Sequence, residues 1–311
     1  MHHKEFDDYI AKFRAHSKNI EREADLAHMI VSVRTRKVQA ENHALQLRSE
    51  KINRRDKVLS CIPAVDYVSK QANLSRLRHP GTCTWLESVP EYQSWLSSTH
   101  SSCLCCYGIP GSGKSVLAAS LKDRLQDQAS SNPRVAVCYY YCDHADAASL
   151  DVFRIMASFT KQLLEVLPLA HFDDGFVCPF SDNGSSPSIV QSTHYLRSLM
   201  LSLQCTYIIL DGLDELNQDN QRCVLDFINT LLQDTGVLVK LCTTSRTEEV
   251  RIKKALQAHS TFRLAEHLIA QDIALYIGDE IGLIDSPHPL SHDPELRQEV
   301  ISALVAGAKG M

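Results

Sequence analysis

The sequence predicts an α/β fold in which a five-stranded parallel sheet is covered by helices on both faces and preceded by an α-helical N-terminal arm. Three observations carry this expectation. From Ser102 onward, short apolar runs alternate with segments of helical spacing, as parallel strands joined by crossover helices require. One apolar run leads directly into Gly108-Ile-Pro-Gly-Ser-Gly-Lys-Ser115, which fits the phosphate-binding pattern G-x-x-x-x-G-K-[ST]. Residues 1–62 contain neither Gly nor Pro, and their apolar residues recur at helical intervals.

From the N-terminus, Ile10, Phe13, Ile20, Leu26, Met29, Ile30, Val33, Val38, Leu45 and Ile52 predict one or two long helices over residues 1–60, with a possible coiled coil. That arm either packs on its own domain or serves self-association and protein signalling partners. Residues 61–100 carry Pro63, Pro80, Gly81 and Pro90 and read as a connector. Its aromatic residues Tyr67, Trp85, Tyr92 and Trp95 are expected to pack on the adjoining α/β domain, residues 101–311. Strands are expected at Cys103–Tyr107, Arg134–Cys142, Cys205–Leu210, Val237–Thr243 and Ser260–Leu264. Helices are expected at Val116–Leu125, Ser149–Leu167, Thr193–Leu203, Gln221–Gln233, Gln271–Ile281 and Asp293–Ala306. The breaker-rich stretch Ala170–Ser188 reads as a surface loop.

Composition excludes several classes. Hydrophobic residues make up 44% and charged residues 22% of the chain, ordinary values for a globular domain. A net charge of −5 gives no reason to expect nucleic acid. No apolar run reaches the length of a membrane span, and Met1-His-His-Lys-Glu-Phe-Asp-Asp8 lacks the apolar core of a signal peptide. The expected compartment is cytoplasmic, and the 11 cysteines are expected as reduced thiols. Paired CxxC motifs are absent, which argues against zinc.

The chemistry concentrates in three places. In the loop Gly108–Ser115, Gly108, Gly111 and Gly113 let the backbone curl around an anion at the positive end of the next helix. Lys114 is placed to reach terminal phosphates, and the Ser115 hydroxyl to ligate Mg²⁺. This loop makes the expected fold that of a P-loop NTPase. Next, Tyr207-Ile-Ile-Leu-Asp-Gly-Leu-Asp-Glu215 is an apolar strand ending in acids. Asp211 is the candidate to hold Mg²⁺ through water. Asp214 or Glu215 is the candidate base that activates a water; the sequence leaves that choice open. Third, Val237–Thr243 runs into Thr244-Ser245-Arg246. An arginine at the carboxyl end of a parallel strand faces the same crevice, where Arg246 could distinguish triphosphate from diphosphate. A Ras-like GTPase would need Asn-Lys-x-Asp and Asp-x-x-Gly, and neither occurs. A small-molecule kinase has little use for the Asp214/Glu215 pair with Arg246.

These motifs resemble the NACHT-type NTPases of the STAND class found in fungal relatives of nucleotide-binding, NOD-like immune receptors. The matching residues are 108–115, Leu210-Asp-Gly-Leu-Asp-Glu215 and Thr243-Thr-Ser-Arg246. Upstream, Gly81-Thr-Cys-Thr-Trp-Leu-Glu87 and Glu91-Tyr-Gln-Ser-Trp95 resemble the segment preceding the fungal P-loop, and Asp272-Ile-Ala-Leu-Tyr-Ile277 resembles the helix after the last strand. The resemblance implies a signal-transduction switch that rests with ADP or GDP and is active with ATP or GTP and Mg²⁺. It would hydrolyse slowly and signal by homo-oligomerisation. Nucleotide contacts would come from Gly108, Ile109, Pro110, Gly111, Ser112, Gly113, Lys114, Ser115 and Val116, with Asp211 and Arg246, and from Gly81 and Thr82 near the base. Val300–Met311 resembles the helix that leads into a winged-helix domain and repeats, so the NTPase domain would be incomplete at its C-terminal end. A non-hydrolysing nucleotide-binding scaffold is the alternative.

Overall fold

The structure is a computed structural model that describes residues 2–173, 175–180, 187–282 and 294–308. The arm is a single helix, α1 (His2–Cys61). With no breaker inside it, the helix runs until Ile62-Pro63, where the proline ring excludes the helical conformation of its predecessor. Side chains described between residues 9 and 50 are all exposed. The chain forms two compact units. One comprises the arm up to Asp56 together with Leu169–Phe176; the other comprises Lys57–Pro168 and the chain from Val177 onward. Within the first unit, Arg54 Nη1 donates to the Phe172 carbonyl at 3.1 Å, and the Phe172 and Phe176 rings lie 4.8 Å apart.

The second unit is built on five strands: β1 (Ser102–Gly108), β2 (Val135–Tyr141), β3 (Cys205–Asp211), β4 (Val239–Arg246) and β5 (Ser260–Arg263). Their order is β2-β3-β4-β1-β5 and every pairing is parallel. The expected fold class is therefore the observed one. Successive side chains alternate between faces. Leu104, Cys106, Val137, Tyr139, Tyr141, Ile209 and Cys242 join one core with α2 (Tyr67–Leu77), α3 (Pro90–Ser97) and α4 (Lys114–Ala129). Tyr140 turns the other way, its ring 6.2 Å from that of Phe159 on α5 (Val152–Val166); Phe159 in turn stacks on Phe227 of α7 (Gln218–Gln233). Between these two helices in the chain runs α6 (Ile189–Met200). After β4 come α8 (Val250–Ala255), then β5, α9 (Glu266–Gly282) and α10 (Pro294–Ala308).

Boundaries shift for identifiable reasons. β4 begins two residues later than expected and continues through Thr244, Ser245 and Arg246, because it pairs with β1 as far as Gly108↔Arg246. Its polar end hid that extension, although Thr244 and Ser245 are both buried. Helix α6 starts at Ile189 because Ser188 caps it reciprocally with Gln191. Helix α4 starts at Lys114, immediately after Gly113 in a left-handed conformation (φ 81°). Part of the expected loop Ala170–Ser188 and the last residues of Val300–Met311 lie outside the described residues.

The connector packs on the sheet. Tyr67 meets Tyr139 edge-on at 5.4 Å, Trp85 meets Phe262 at 6.5 Å and Trp95 meets Tyr207 at 5.8 Å. Lys240, the second residue of β4, is buried and donates to the Trp95 and Leu96 carbonyls at 2.7 and 3.0 Å. A cation there satisfies carbonyls at the C-terminus of α3, while burial pulls its pKa down.

Candidate functional site

Parallel strands end together, and here β1, β3 and β4 deliver their carboxyl ends to one edge. The loop after β1 folds back on itself. Ser112 N–H and Oγ both reach the Ile109 carbonyl, at 3.3 and 2.8 Å. Lys114 Nζ donates to the Gly108 and Ile109 carbonyls at 3.1 and 2.8 Å. A Cβ on Gly108 would fall 2.4 Å from Ser112 Oγ, so a larger residue there would have to displace the Ser112 hydroxyl from the Ile109 carbonyl. The first N–H groups of α4 have no carbonyl one turn back within the helix and open toward the same edge.

Across from the loop, Asp211 is buried at the end of β3. Thr244 Oγ1 donates to its Oδ1 at 2.5 Å and accepts the Gly212 N–H at 3.0 Å. One hydroxyl thereby fixes both the acid and the turn behind it. Gly212 adopts φ 76°, and a Cβ there would sit 2.8 Å from the Cys142 carbonyl oxygen. Burial raises the pKa of Asp211, against the pull of hydrogen bonds from Ser115 and Thr244.

The turn after Gly212 brings Asp214 and Glu215 to Arg246. The Arg246 Nε lies 3.0 Å from Asp214 Oδ2 and its Nη2 2.9 Å from Glu215 Oε1. The Arg246 backbone N–H donates to Asp214 Oδ1 at 3.0 Å. The remaining Glu215 oxygen, Oε2, lies 2.8 Å from His144 Nε2. Asp214, Glu215 and Arg246 line a polar cavity of about 350 Å³ whose other walls include Gly111, Gly113, Lys114, Ser115, Val116 and Asp211, with Pro110 at the loop.

Gly111, Gly113 and Val116 also line a second, mainly apolar cavity of about 490 Å³. Its other walls include Leu77, Thr82, Trp85, Leu264, Ile273 and Tyr276, with Ser112 at the loop side. Asp272 on α9 closes it. Its Oδ2 accepts both the Cys83 N–H and the Trp85 Nε1–H at 2.9 Å. His79 Nε2 lies 3.1 Å from Asp279 Oδ2. Gly81 does not line the cavity. It turns the chain toward it in a left-handed conformation (φ 80°).

The candidate residues thus fall into two adjoining compartments. Lys114, Ser115, Asp211, Asp214, Glu215 and Arg246 share the polar one; Thr82 belongs to the apolar one. Arg246 lies at the expected sheet edge, its guanidinium held by two carboxylates. Sequence reasoning missed His144 altogether and overlooked the bridging hydroxyl of Thr244. For His144 one signal existed: it follows β2 by three residues, at the same sheet edge as the motif acids.

Two protein oxygens, from Ser115 and Asp211, suit Mg²⁺, which keeps waters and phosphate oxygens for most of its shell. A divalent cation beside Asp211 would also counter the effect of burial on that carboxyl. Among the described residues no group of three or more His, Cys, Asp or Glu side chains could hold a metal alone, so a nucleotide's phosphates would complete the shell. No described helix is long and apolar enough to cross a membrane.

The family profile described as nephrocystin 3, N-terminal, matches residues 81–246, more than half of the chain. The chain belongs to this family. The match opens at Gly81, on the lead-in to the apolar cavity, and closes at Arg246, so it takes in all the sequence-predicted site residues, while Leu77, Leu264, Asp272, Ile273 and Tyr276 of the apolar cavity lie outside it. No curated protein matches the chain significantly. Among solved structures, the ORC1 protein of Aeropyrum pernix in complex with DNA is 21% identical, with 81% of this chain and 59% of that one covered and a TM-score of 0.43. The ORC2 protein of the same organism, in ADPNP–ADP complexes, is 13% identical over 68% of this chain and 52% of that one, with a TM-score of 0.37. PCH-2 of C. elegans is 15% identical over 83% and 62%, with a TM-score of 0.37. The chain spans less than two thirds of the length of each of these three proteins.

Proposed function

We propose that this chain is a nucleotide-binding switch of the NACHT type in the STAND class, acting in fungal innate-immunity or incompatibility signalling. It binds ATP or GTP with Mg²⁺, hydrolyses it slowly and couples nucleotide state to self-association, with α1 offering a surface to protein partners in the cytoplasm. The observation that carries this reading is the adjacency of the two cavities. The N-terminus of α4 with Lys114, Ser115 and Asp211 lines one cavity, and a mainly apolar cavity of about 490 Å³ shares Gly111, Gly113 and Val116 with it. Phosphates and a flat base call for those two environments side by side. Lys114 neutralises the β/γ-phosphates, Ser115 and Asp211 hold the metal that shields their charge, and Thr82 lies beside the base.

A second reading has its own support. Arg246 and His144 engage both oxygens of Glu215, and Arg246 alone engages both of Asp214. Carboxylates engaged at both oxygens turn fewer free lone pairs toward an attacking water, which favours a scaffold that binds nucleotide without turning it over. Phosphate release measured beside nucleotide affinity separates the two. Binding with slow release supports the switch, binding without release supports the scaffold, and no binding defeats both.

A further inference from the structure

We propose that Asp214 and Glu215 set the preference of this site for triphosphate over diphosphate by competing with the terminal phosphate for Arg246, and that His144 is the positioning residue that holds Glu215 in the competition. This rests on the nucleotide-switch reading and goes beyond the role of either acid as a base.

The geometry is that of a clamp. Asp214, only 3% exposed in its side chain, takes Arg246 twice, at the backbone N–H and at Nε. Glu215 takes the Nη2 edge. A guanidinium presents five donors in a fixed fork, and the carboxylates hold its Nε–Nη2 edge, one of the two edges that could grip a phosphate at two points. Two carboxylates also carry about the charge of a terminal phosphoryl group, −1.5 to −2. The arginine therefore cannot offer that edge to both partners at once. A diphosphate makes no demand on Arg246, so the clamp taxes only the triphosphate, whose apparent affinity falls by the fraction of time Arg246 is free. His144 bears on this because its Nε2 fixes the other oxygen of Glu215 at 2.8 Å, steadying the face that Glu215 turns to Arg246.

The guanidinium is 42% exposed, so each contact is worth a modest factor. The test measures affinity for ADP and for a non-hydrolysable ATP analogue, with the guanine pair in parallel, in Mg²⁺ on the 311-residue chain. Glu215→Gln keeps the shape and removes the charge. It should raise the triphosphate-to-diphosphate affinity ratio about 2- to 5-fold. His144→Ala, at an exposed position, should move the ratio the same way by about 2-fold and serves if Glu215→Gln fails to fold. In an Arg246→Ala background both substitutions should be silent. A ratio unchanged by Glu215→Gln overturns the clamp. So does an equal rise in the Arg246→Ala background, because the effect would then be removal of negative charge near the phosphates. If the parent chain binds no nucleotide, the functional reading fails and the clamp fails with it.

Discussion

The polar cavity around Lys114 and the apolar cavity around Trp85 share a wall at Gly111, Gly113 and Val116, yet they are assembled on different plans. The polar cavity draws its side chains from three strand ends, each carrying its chemistry within a few residues of the strand. Parallel pairing of β1, β3 and β4 brings those ends together without further instruction. The apolar cavity depends on a closure. Residues 77–85 and 264–277 are nearly 190 residues apart, and they are joined by Asp272, which receives donors from both Cys83 and Trp85, with Trp85 against Phe262 and His79 against Asp279 beside it. One half of the site is a consequence of the sheet; the other is a consequence of a few long-range contacts laid on it. The two should therefore fail independently.

The largest effect is expected at Lys114→Ala. In this structure Nζ rests on two loop carbonyls, which a bound phosphate would replace with charge-assisted contacts worth roughly 10- to 100-fold in affinity. Affinity should fall by about that factor for nucleotides and for inorganic tripolyphosphate alike, while the melting temperature stays within a degree or two. A variant that keeps full tripolyphosphate affinity would show that the loop is not the anion site.

Asp272→Ala attacks the other half. It leaves the Cys83 N–H and the indole N–H without their acceptor, at a cost of about 1–3 kcal/mol, read as a lowered melting temperature. Nucleotide affinity should drop about 10-fold while tripolyphosphate affinity is retained. Equal losses for both ligands would erase the division between the compartments. A loss confined to nucleotides, set beside the uniform loss at Lys114→Ala, would sharpen it.

The same contrast explains what could be read from the sequence. The five strands, their parallel direction and the loop Gly108–Ser115 follow from alternating apolar runs and a motif whose spacing is itself the geometry. Arg246 could be placed at the right edge because the end of β4 is adjacent in sequence. Its partners could not be foreseen, since the turn at Gly212 determines where Asp214 and Glu215 point. That turn depends on φ 76° and on a hydroxyl from Thr244. His144 carries no motif at all; only the register that ends β2 opposite Asp211 brings its loop to the site. Lys240 shows the reverse difficulty. A lysine inside an apolar strand suggests an exposed edge, yet here it is buried beneath the end of α3, whose carbonyls supply its acceptors.

The smallest effect separates stability from function within the polar half. Asp211 is buried among few compensating donors, and burial raises its pKa above 3.8. An acid whose folded-state pKa is raised binds its proton more tightly when folded, so its contribution to stability is present at low pH and is lost as pH rises through the folded value. Asp211→Asn removes that loss and keeps an oxygen to accept the Thr244 hydroxyl. The variant should be more stable than the parent by on the order of 1 kcal/mol at neutral pH, with the difference shrinking toward zero as pH falls below the unfolded value. The same substitution should weaken the Mg²⁺-dependent part of nucleotide binding and leave binding in EDTA nearly unchanged, because a neutral amide attracts the hydrated cation less. Denaturant melts at a series of pH values, paired with titrations in Mg²⁺ and in EDTA, measure both. A variant less stable at neutral pH, with Mg²⁺ dependence intact, would make Asp211 a capping group whose charge the fold needs, and would leave the polar cavity without its metal-holding acid.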